Sequence, residues 1–129
     1  MNSTSIYKID VHRRLCIQKD LIELSTWINT LESLNNELDH VSIIEKQLIK
    51  IESIANTILA IRRKNILHTA HLCKYEKELR IEYEYGEVEY DLNRLKFHEQ
   101  KRGHYLKLIE EYNTFKNQFY LLLRKYQRK

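Results

Sequence analysis

Histidine is the side chain most able to bind a metal in this sequence, because neutral imidazole is a common metal ligand. The chain has six histidines. His68 and His71 are spaced one helical turn apart, and a hairpin of the last two segments would place His104 opposite them. Glu37 and His40 have the Glu-x-x-His spacing of carboxylate-bridged di-iron bundles, but such sites need a second pair, which this chain lacks. We therefore predict no metal and no cofactor, and surface positions for the three clustered histidines.

Polar residues interrupt the apolar repeat in the last third of the chain. Over residues 95–105, positions expected to face the core are occupied by His98, Lys101 and Arg102. Either Phe97 turns inward while the long basic side chains cover the seam and reach water, or an anion or carboxylate partner is held between the second and third helices. The candidate lining of that interhelical site is His71, Tyr75, Glu76, His98, Glu99 and Arg102.

Several of the nine tyrosines fall in a strongly acidic segment. Aromatic rings interleaved with carboxylates can form a contact surface for a basic protein partner. The alternative is a solvated turn whose rings fold over the apolar ends of the helices. The candidate partner-binding tip consists of Tyr83, Tyr85, Glu87, Tyr90 and Asp91.

The net charge of +4 is unevenly distributed along the chain. Residues 82–92 carry five acidic and no basic side chains, whereas residues 93–129 carry ten basic and three acidic ones. A basic surface can bind nucleic acid or an anionic membrane, but alternating charge along a helical chain more often lets neighbouring helices neutralise each other. Nucleic-acid binding is therefore possible but not favoured. The candidate basic surface is Arg62, Arg63, Lys64 and Lys101.

The sequence has no signature of catalysis or of membrane insertion. It contains no HExxH, no glycine-rich phosphate loop and no recognisable nucleophilic triad, so we do not expect an enzyme. No apolar run approaches the ~20 residues of a transmembrane helix, and the first residues lack the apolar stretch of a signal peptide. Cys16 and Cys73 lie in unlike surroundings, which favours free thiols in a reducing compartment. We expect a cytoplasmic protein.

The elements that position these residues are long helices. Proline is absent and glycine occurs only at Gly86 and Gly103, so almost nothing interrupts an apolar spacing of three and four residues. The pattern predicts a single all-α domain, an antiparallel up-down-up bundle of three long helices with coiled-coil-like packing. Their expected bounds are about 4–40, 42–85 and 88–128. Trp27 lies on the apolar stripe of the first helix and should be its largest core residue.

The position of the first turn has two interpretations. Ser42 and Glu45 form an S-x-x-E capping box, which favours a new helix after a turn near residue 40. Alternatively, one helix continues through this region with a three-residue stammer, and the turn falls at 62–65. Gly86 marks the second turn, because glycine is common just after the end of a helix.

Charge complementarity gives an expected alignment of the helices. With the second turn at 86, residues whose numbers sum to about 172 should face each other, which places Arg62 beside Glu110. With the first turn near residue 40, Arg13 should lie beside the acidic tip, and Asp39 beside the basic segment 124–128. Each exposed ion pair contributes only about 0 to 1 kcal/mol, so these pairs indicate register more than stability.

The most favoured function is that of a non-enzymatic interaction or scaffold protein of unknown partner that self-associates, for example as a homodimer. Nucleic-acid or anionic-surface binding is the alternative, and a metal-binding bundle is a further one. Self-association is expected because the helices carry more apolar residues than one core seam can bury, and the remainder would be exposed to water. These residues are Ile43, Ile49, Ile61, Leu121 and Leu123.

Overall fold

The structure is a computed structural model that describes residues 3–126. In that range the chain forms three long helices packed against each other and no strand, which confirms the predicted all-α three-helix bundle. None of these helices has the length and apolar content needed to cross a bilayer. The helices are α1 (Ser3–Ile44), α2 (Glu52–Tyr85) and α3 (Leu92–Leu123). Residues 127 and 128 of the predicted third helix lie outside the described residues.

The first turn is at Lys50 and Ile51, so both predicted positions, near 40 and at 62–65, are wrong. Ser42 lies inside α1, which continues to Ile44 and then widens into a π-helical turn, Glu45–Ile49. Lys50 adopts a left-handed conformation with φ of 54°, and its amide donates to the carbonyl of Glu45 at 2.7 Å. A lysine rarely adopts this conformation, so no sequence signal marks the turn.

The second turn is placed as the sequence predicts. The α2 helix ends at Tyr85, and Gly86 follows it with an extended backbone. Its amide donates to the carbonyl of Glu82 at 2.9 Å. After a short loop, the side chain of Asp91 accepts a hydrogen bond from the amide of Arg94 at 3.0 Å and so caps α3.

The α2–α3 hairpin has nearly the predicted alignment. Arg94 pairs with Glu82 at 2.5 Å, and Lys64 pairs with Glu111 at 2.7 Å. These residue numbers sum to 176 (94 + 82) and 175 (64 + 111). The predicted sum of about 172 therefore holds to within about one helical turn.

Moving the first turn by ten residues changes the predicted partners of α1. Asp39 pairs with Arg62 across the α1–α2 interface at 2.6 Å. Arg62 is therefore paired with Asp39 and not with Glu110, and among the described residues of the basic segment, 124–126, no ion pair to Asp39 is formed. Glu37 pairs with Lys116 at 3.3 Å. Because α1 is longer than predicted, each α1 residue lies beside an α3 residue with a lower number than the predicted alignment gives.

The core runs along all three helices. Trp27 is 4% exposed, which confirms its predicted burial, and its ring stacks against those of His98 and Tyr105 at centroid distances of 5.1 and 5.3 Å. Residues Ile49 and Ile61 also belong to this core, so they need no second molecule to cover them, contrary to the prediction. Leu123 is partly buried against the core, and Ile43 and Leu121 are exposed.

Candidate functional site

A cluster of polar side chains is buried where the three helices meet near the second turn. Its central residue is His98 on α3, which is 1% exposed. The Nδ1 atom of His98 is hydrogen-bonded to the hydroxyl of Tyr75 on α2 at 2.7 Å, and its Nε2 atom lies 2.8 Å from Glu23 on α1. We call Asp20, Glu23, Tyr75, Tyr90, His98 and Arg102 the polar cluster.

Glu23 on α1 makes hydrogen bonds and an ion pair to α3. The Nε of Arg102 donates to its Oε2 at 2.8 Å, and Nη2 of Arg102 donates to its Oε1 at 2.7 Å. This fork fixes the carboxylate geometrically and is stronger than a neutral hydrogen bond. The hydrogen bonds from Arg102 outweigh burial and lower the pKa of Glu23, and the same contact raises the pKa of Arg102. Glu23 is therefore ionised at neutral pH.

Asp20 has a different environment from Glu23. It is 7% exposed, accepts a hydrogen bond from the hydroxyl of Tyr90, and has its Oδ1 3.5 Å from Nε2 of His98. Burial raises the pKa of Asp20 and prevails over the opposing effects of Tyr90 and His98. Burial also raises the pKa values of Tyr90 and Tyr75, so both phenols keep their protons. Because Tyr90 lies in the α2–α3 loop, its bond to Asp20 ties that loop to α1.

Helical spacing explains why the polar cluster forms. On α1 the buried positions Ile17, Asp20, Leu24 and Trp27 follow one another at steps of three and four, so Asp20 occupies an apolar-stripe position. Glu23 lies three residues from Asp20, about one helical turn along α1, and so faces nearly the same side of the helix. Extending the apolar stripe of Leu24 and Trp27 four residues toward the N-terminus is the signal that identifies Asp20.

A cavity of about 320 Å³ opens onto the polar cluster beside the second turn. Aromatic rings and carboxylates make up much of its wall, including Tyr75, Tyr90, Phe97 and Glu78. Asp20 is part of the same wall. The carboxylate of Asp20 is therefore accessible from this cavity although most of its surface is buried.

The structure brings together three of the six residues of the predicted interhelical lining and separates the other three. The three brought together are Tyr75, His98 and Arg102, whereas His71 and Glu99 are exposed and Glu76 pairs with Arg80 of its own helix at 3.8 Å. The carboxylate partner expected between α2 and α3 is supplied by the chain itself, as Glu23 and Asp20 of α1. The sequence did not predict this contact because the wrong position of the first turn placed other α1 residues beside His98 and Arg102.

Most residues of the predicted tip support the fold. Tyr90 belongs to the polar cluster, Asp91 caps α3, and the ring of Tyr83 lies 5.4 Å beneath the guanidinium of Arg14. Tyr85 is 81% exposed and Glu87 is also exposed. Two of the five residues thus remain available to a partner. Arg13 reaches the tip as predicted, by donating to the carbonyl of Glu82.

Two of the four residues of the predicted basic surface are paired with carboxylates. Arg62 pairs with Asp39 and Lys64 with Glu111, as described above. The ammonium of Lys101 lies 5.0 Å over the ring of Phe97, and Arg63 is exposed. The charge that this surface offers a polyanion is therefore reduced by these two pairs.

His68, His71 and His104 do line one groove between α2 and α3, of about 250 Å³. The groove wall also contains Lys64 and Lys107. Burial lowers the pKa of His68, and the neighbouring His104 and His71 lower it further. Within residues 3–126, however, the one group of metal-ligand side chains whose ligand atoms all lie within 4.8 Å of one another is Asp20, Glu23 and His98.

Comparison of the chain with protein-family models, curated proteins and solved structures finds no match. Function is therefore argued from the geometry of this molecule. The polar cluster joins three helices through directional contacts, and the outer faces of the helices differ strongly in charge.

Proposed function

We propose that the protein is a non-enzymatic helical scaffold that self-associates through the outer face of α1. The observation that carries this proposal is the lack of charge on that face over residues 15–36. Only Lys19 and Glu32 are charged among the exposed side chains of this segment. Its exposed residues are Leu15, Gln18, Lys19, Ile22, Ser25, Thr26, Asn29, Glu32, Ser33 and Asn36.

The other two helices provide the contrast. Over an equal length of α2, residues 64–85, six exposed side chains are charged, and over residues 92–113 of α3, five are. The centres of protein interfaces are depleted of charged residues relative to the remaining surface. The α1 face therefore has the composition of an interface, whereas the α2 and α3 faces have that of a solvated surface.

Apolar side chains add to this face at its N-terminal end. Tyr7, Val11, Leu15 and Ile22 are all exposed and follow one another at steps of four, four and seven residues. Such steps keep residues on one side of a helix. Since the buried stripe of α1 lies on the opposite side, the first half of α1 has two apolar faces, and one bundle covers only one of them.

Charge also favours contact between two copies at this face. The chain has a net charge of +4, so two copies repel each other weakly over most orientations. An interface that carries almost no charge avoids placing like charges together, and it shields apolar surface from water. A second copy of this chain is thus a suitable partner.

Sedimentation velocity at tens of micromolar, a range in which weak dimers form, tests this proposal. We expect the wild-type chain to dimerise and the double variant Leu15→Glu/Ile22→Glu to be monomeric. The matched control is Ile66→Glu/Ile81→Glu, because Ile66 and Ile81 are comparably exposed on α2. A monomeric wild-type chain, or equal loss of dimer in both double variants, would contradict the proposal.

Anionic-surface binding is a second candidate, supported by the histidine- and lysine-lined groove between α2 and α3. Binding of a single-stranded oligonucleotide or of anionic vesicles through this groove should weaken steeply as salt rises. Lys107→Gln should reduce it, whereas Lys8→Gln, on α1, should not. Absence of binding at low salt would exclude this candidate.

A further inference from the structure

The polar cluster holds two carboxylates beside a single guanidinium and one imidazole. The carboxylates are those of Asp20 and Glu23, and the guanidinium is that of Arg102, which pairs with Glu23. The hydrogen bond that Asp20 accepts comes from Tyr90, a neutral phenol. Burying a charge without a compensating partner is unfavourable. A cation bound between these carboxylates would provide such a partner.

The ligand atoms are spaced as a metal ion requires. In a tetrahedral zinc site with bonds of about 2.0 to 2.1 Å, neighbouring ligand atoms lie about 3.3 Å apart. In the polar cluster, Nε2 of His98 lies 2.8 Å from Oε1 of Glu23 and 3.5 Å from Oδ1 of Asp20. One imidazole nitrogen and two carboxylate oxygens can therefore reach one ion with small side-chain adjustments.

Each of these three ligands has a partner that orients it. The hydroxyl of Tyr75 holds Nδ1 of His98, the hydroxyl of Tyr90 holds Asp20, and Nε of Arg102 holds Oε2 of Glu23. Such outer contacts fix the orientation of metal ligands and are typical of metal sites. Nε2 of His98 and one oxygen of each carboxylate then lie within 4.8 Å of one another, and the Glu23 oxygen, Oε1, also accepts a hydrogen bond from Nη2 of Arg102.

The cavity beside the second turn reaches the proposed site at one ligand, Asp20. It is about 320 Å³ in volume and includes Asp20 in its wall. A metal with three protein ligands needs a fourth, which water entering from the cavity can supply.

We propose that Asp20, Glu23 and His98 bind one divalent transition-metal ion. An imidazole ligand favours zinc and similar ions over magnesium or calcium, which prefer oxygen alone. The bound ion replaces the hydrogen bond between His98 and Glu23, so the neutral imidazole carries its proton on Nδ1 and donates it to the Tyr75 hydroxyl. Arg102 keeps its hydrogen bond from Nε to Oε2 of Glu23, while the ion takes the place of Nη2 at Oε1. The groove of His68, His71 and His104 is a weaker cation site because lysines line it.

The test uses the full chain, freed of any affinity tag and stripped of metal with a chelator. We expect one equivalent of Co²⁺ to give the visible absorption of a site with nitrogen and oxygen ligands. Zn²⁺ at a hundredfold excess over its dissociation constant should raise Tm by about 10 °C. Absence of both signals in the wild-type chain overturns the proposal.

Variants locate the site. Asp20→Asn and Glu23→Gln preserve side-chain shape and should each weaken Co²⁺ binding at least tenfold, and His98→Gln should abolish it. Each variant is first compared with the wild-type chain by circular dichroism, so that a variant that fails to fold is replaced by another of the three. His104→Gln is the matched control and should bind normally. Loss of binding in His104→Gln with retention in Asp20→Asn and Glu23→Gln would place the metal in the groove and overturn the assignment.

Discussion

The two ends of the bundle hold the helices together by different means. At the end near the second turn, His98, Glu23 and Arg102 join α1 and α3 through hydrogen bonds with defined directions. At the opposite end, Phe115 and Phe119 stack at a centroid distance of 5.9 Å within a core of aliphatic residues, and Glu37 of α1 contacts Tyr112 and Lys116 of α3 at the edge of this core. Apolar packing tolerates small shifts in alignment, whereas a forked ion pair does not. We therefore expect the polar end to fix the register more strictly than the end at Phe115 and Phe119.

Loss of a large core ring should have the largest effect at either end. Trp27→Ala and Phe119→Ala should each reduce the free energy of unfolding by about 3 to 5 kcal/mol, because both rings are almost fully buried. The two variants should differ in a second property. Trp27 stacks on His98, so only its loss should change the ¹⁵N chemical shifts of the His98 ring. Denaturant melts with NMR check both parts, and equal shifts in the two variants would remove the distinction between the ends.

In the middle of the bundle, Asn65 of α2 makes directional hydrogen bonds to α1. Its side chain is fully buried and donates to the carbonyl of Leu31 at 3.1 Å and to Oδ1 of Asn35 at 2.5 Å. Asn65→Ala should cost about 1 to 3 kcal/mol, since it leaves a buried acceptor unpaired. Asn56→Ala, at an exposed position of the same helix, is the control and should be nearly neutral. Similar melting temperatures for both variants would show that Asn65 does not hold α1 to α2.

Replacing each of the two glycines by alanine should change the stability of the chain in opposite directions. A Cβ at Gly103 meets nothing within 4 Å, so Gly103→Ala should stabilise α3 by about 0.5 to 1 kcal/mol. A Cβ at Gly86 would lie 2.5 Å from the backbone carbonyl of Glu82, so Gly86→Ala should destabilise the chain. Thermal melts of both variants check this pair. A stabilising Gly86→Ala would mean that the second turn differs from the one described.

The smallest expected effect is the pH dependence contributed by Glu37. A hydrogen bond from Tyr112, followed by Lys116, lowers the pKa of Glu37 below its ordinary value of 4.5. A group with a lowered folded-state pKa contributes stability above its unfolded pKa and loses it as the pH falls through the folded value. Glu37→Gln should therefore reduce stability at pH 7 by less than about 1 kcal/mol, because the pair is partly exposed. The difference from wild type should vanish at acidic pH, and a difference that persists there would have another cause.

The helices, the second turn and the burial of Trp27 follow from the sequence because they rest on periodicity and on one glycine. The first turn could not be predicted, since Lys50 adopts a left-handed conformation without glycine or asparagine to mark it. That error had consequences for the site. The break in the apolar repeat indicates His98 and Arg102, and the alignment of α2 with α3 adds Tyr75. Asp20 and Glu23 were not predicted, because their level relative to α3 depends on the length of α1.

The register-fixing role of the polar end is tested most directly by a pair of double-mutant cycles. One cycle combines Glu23→Gln with Arg102→Gln, and the control cycle combines Glu111→Gln with Lys64→Gln. Both are ion pairs between helices, but Lys64 and Glu111 are more exposed than Arg102 and Glu23. We predict a coupling of about 1 kcal/mol for the first pair and one near zero for the second. Equal couplings, or a smaller one for Glu23 and Arg102, would contradict the claim that the polar cluster aligns the helices.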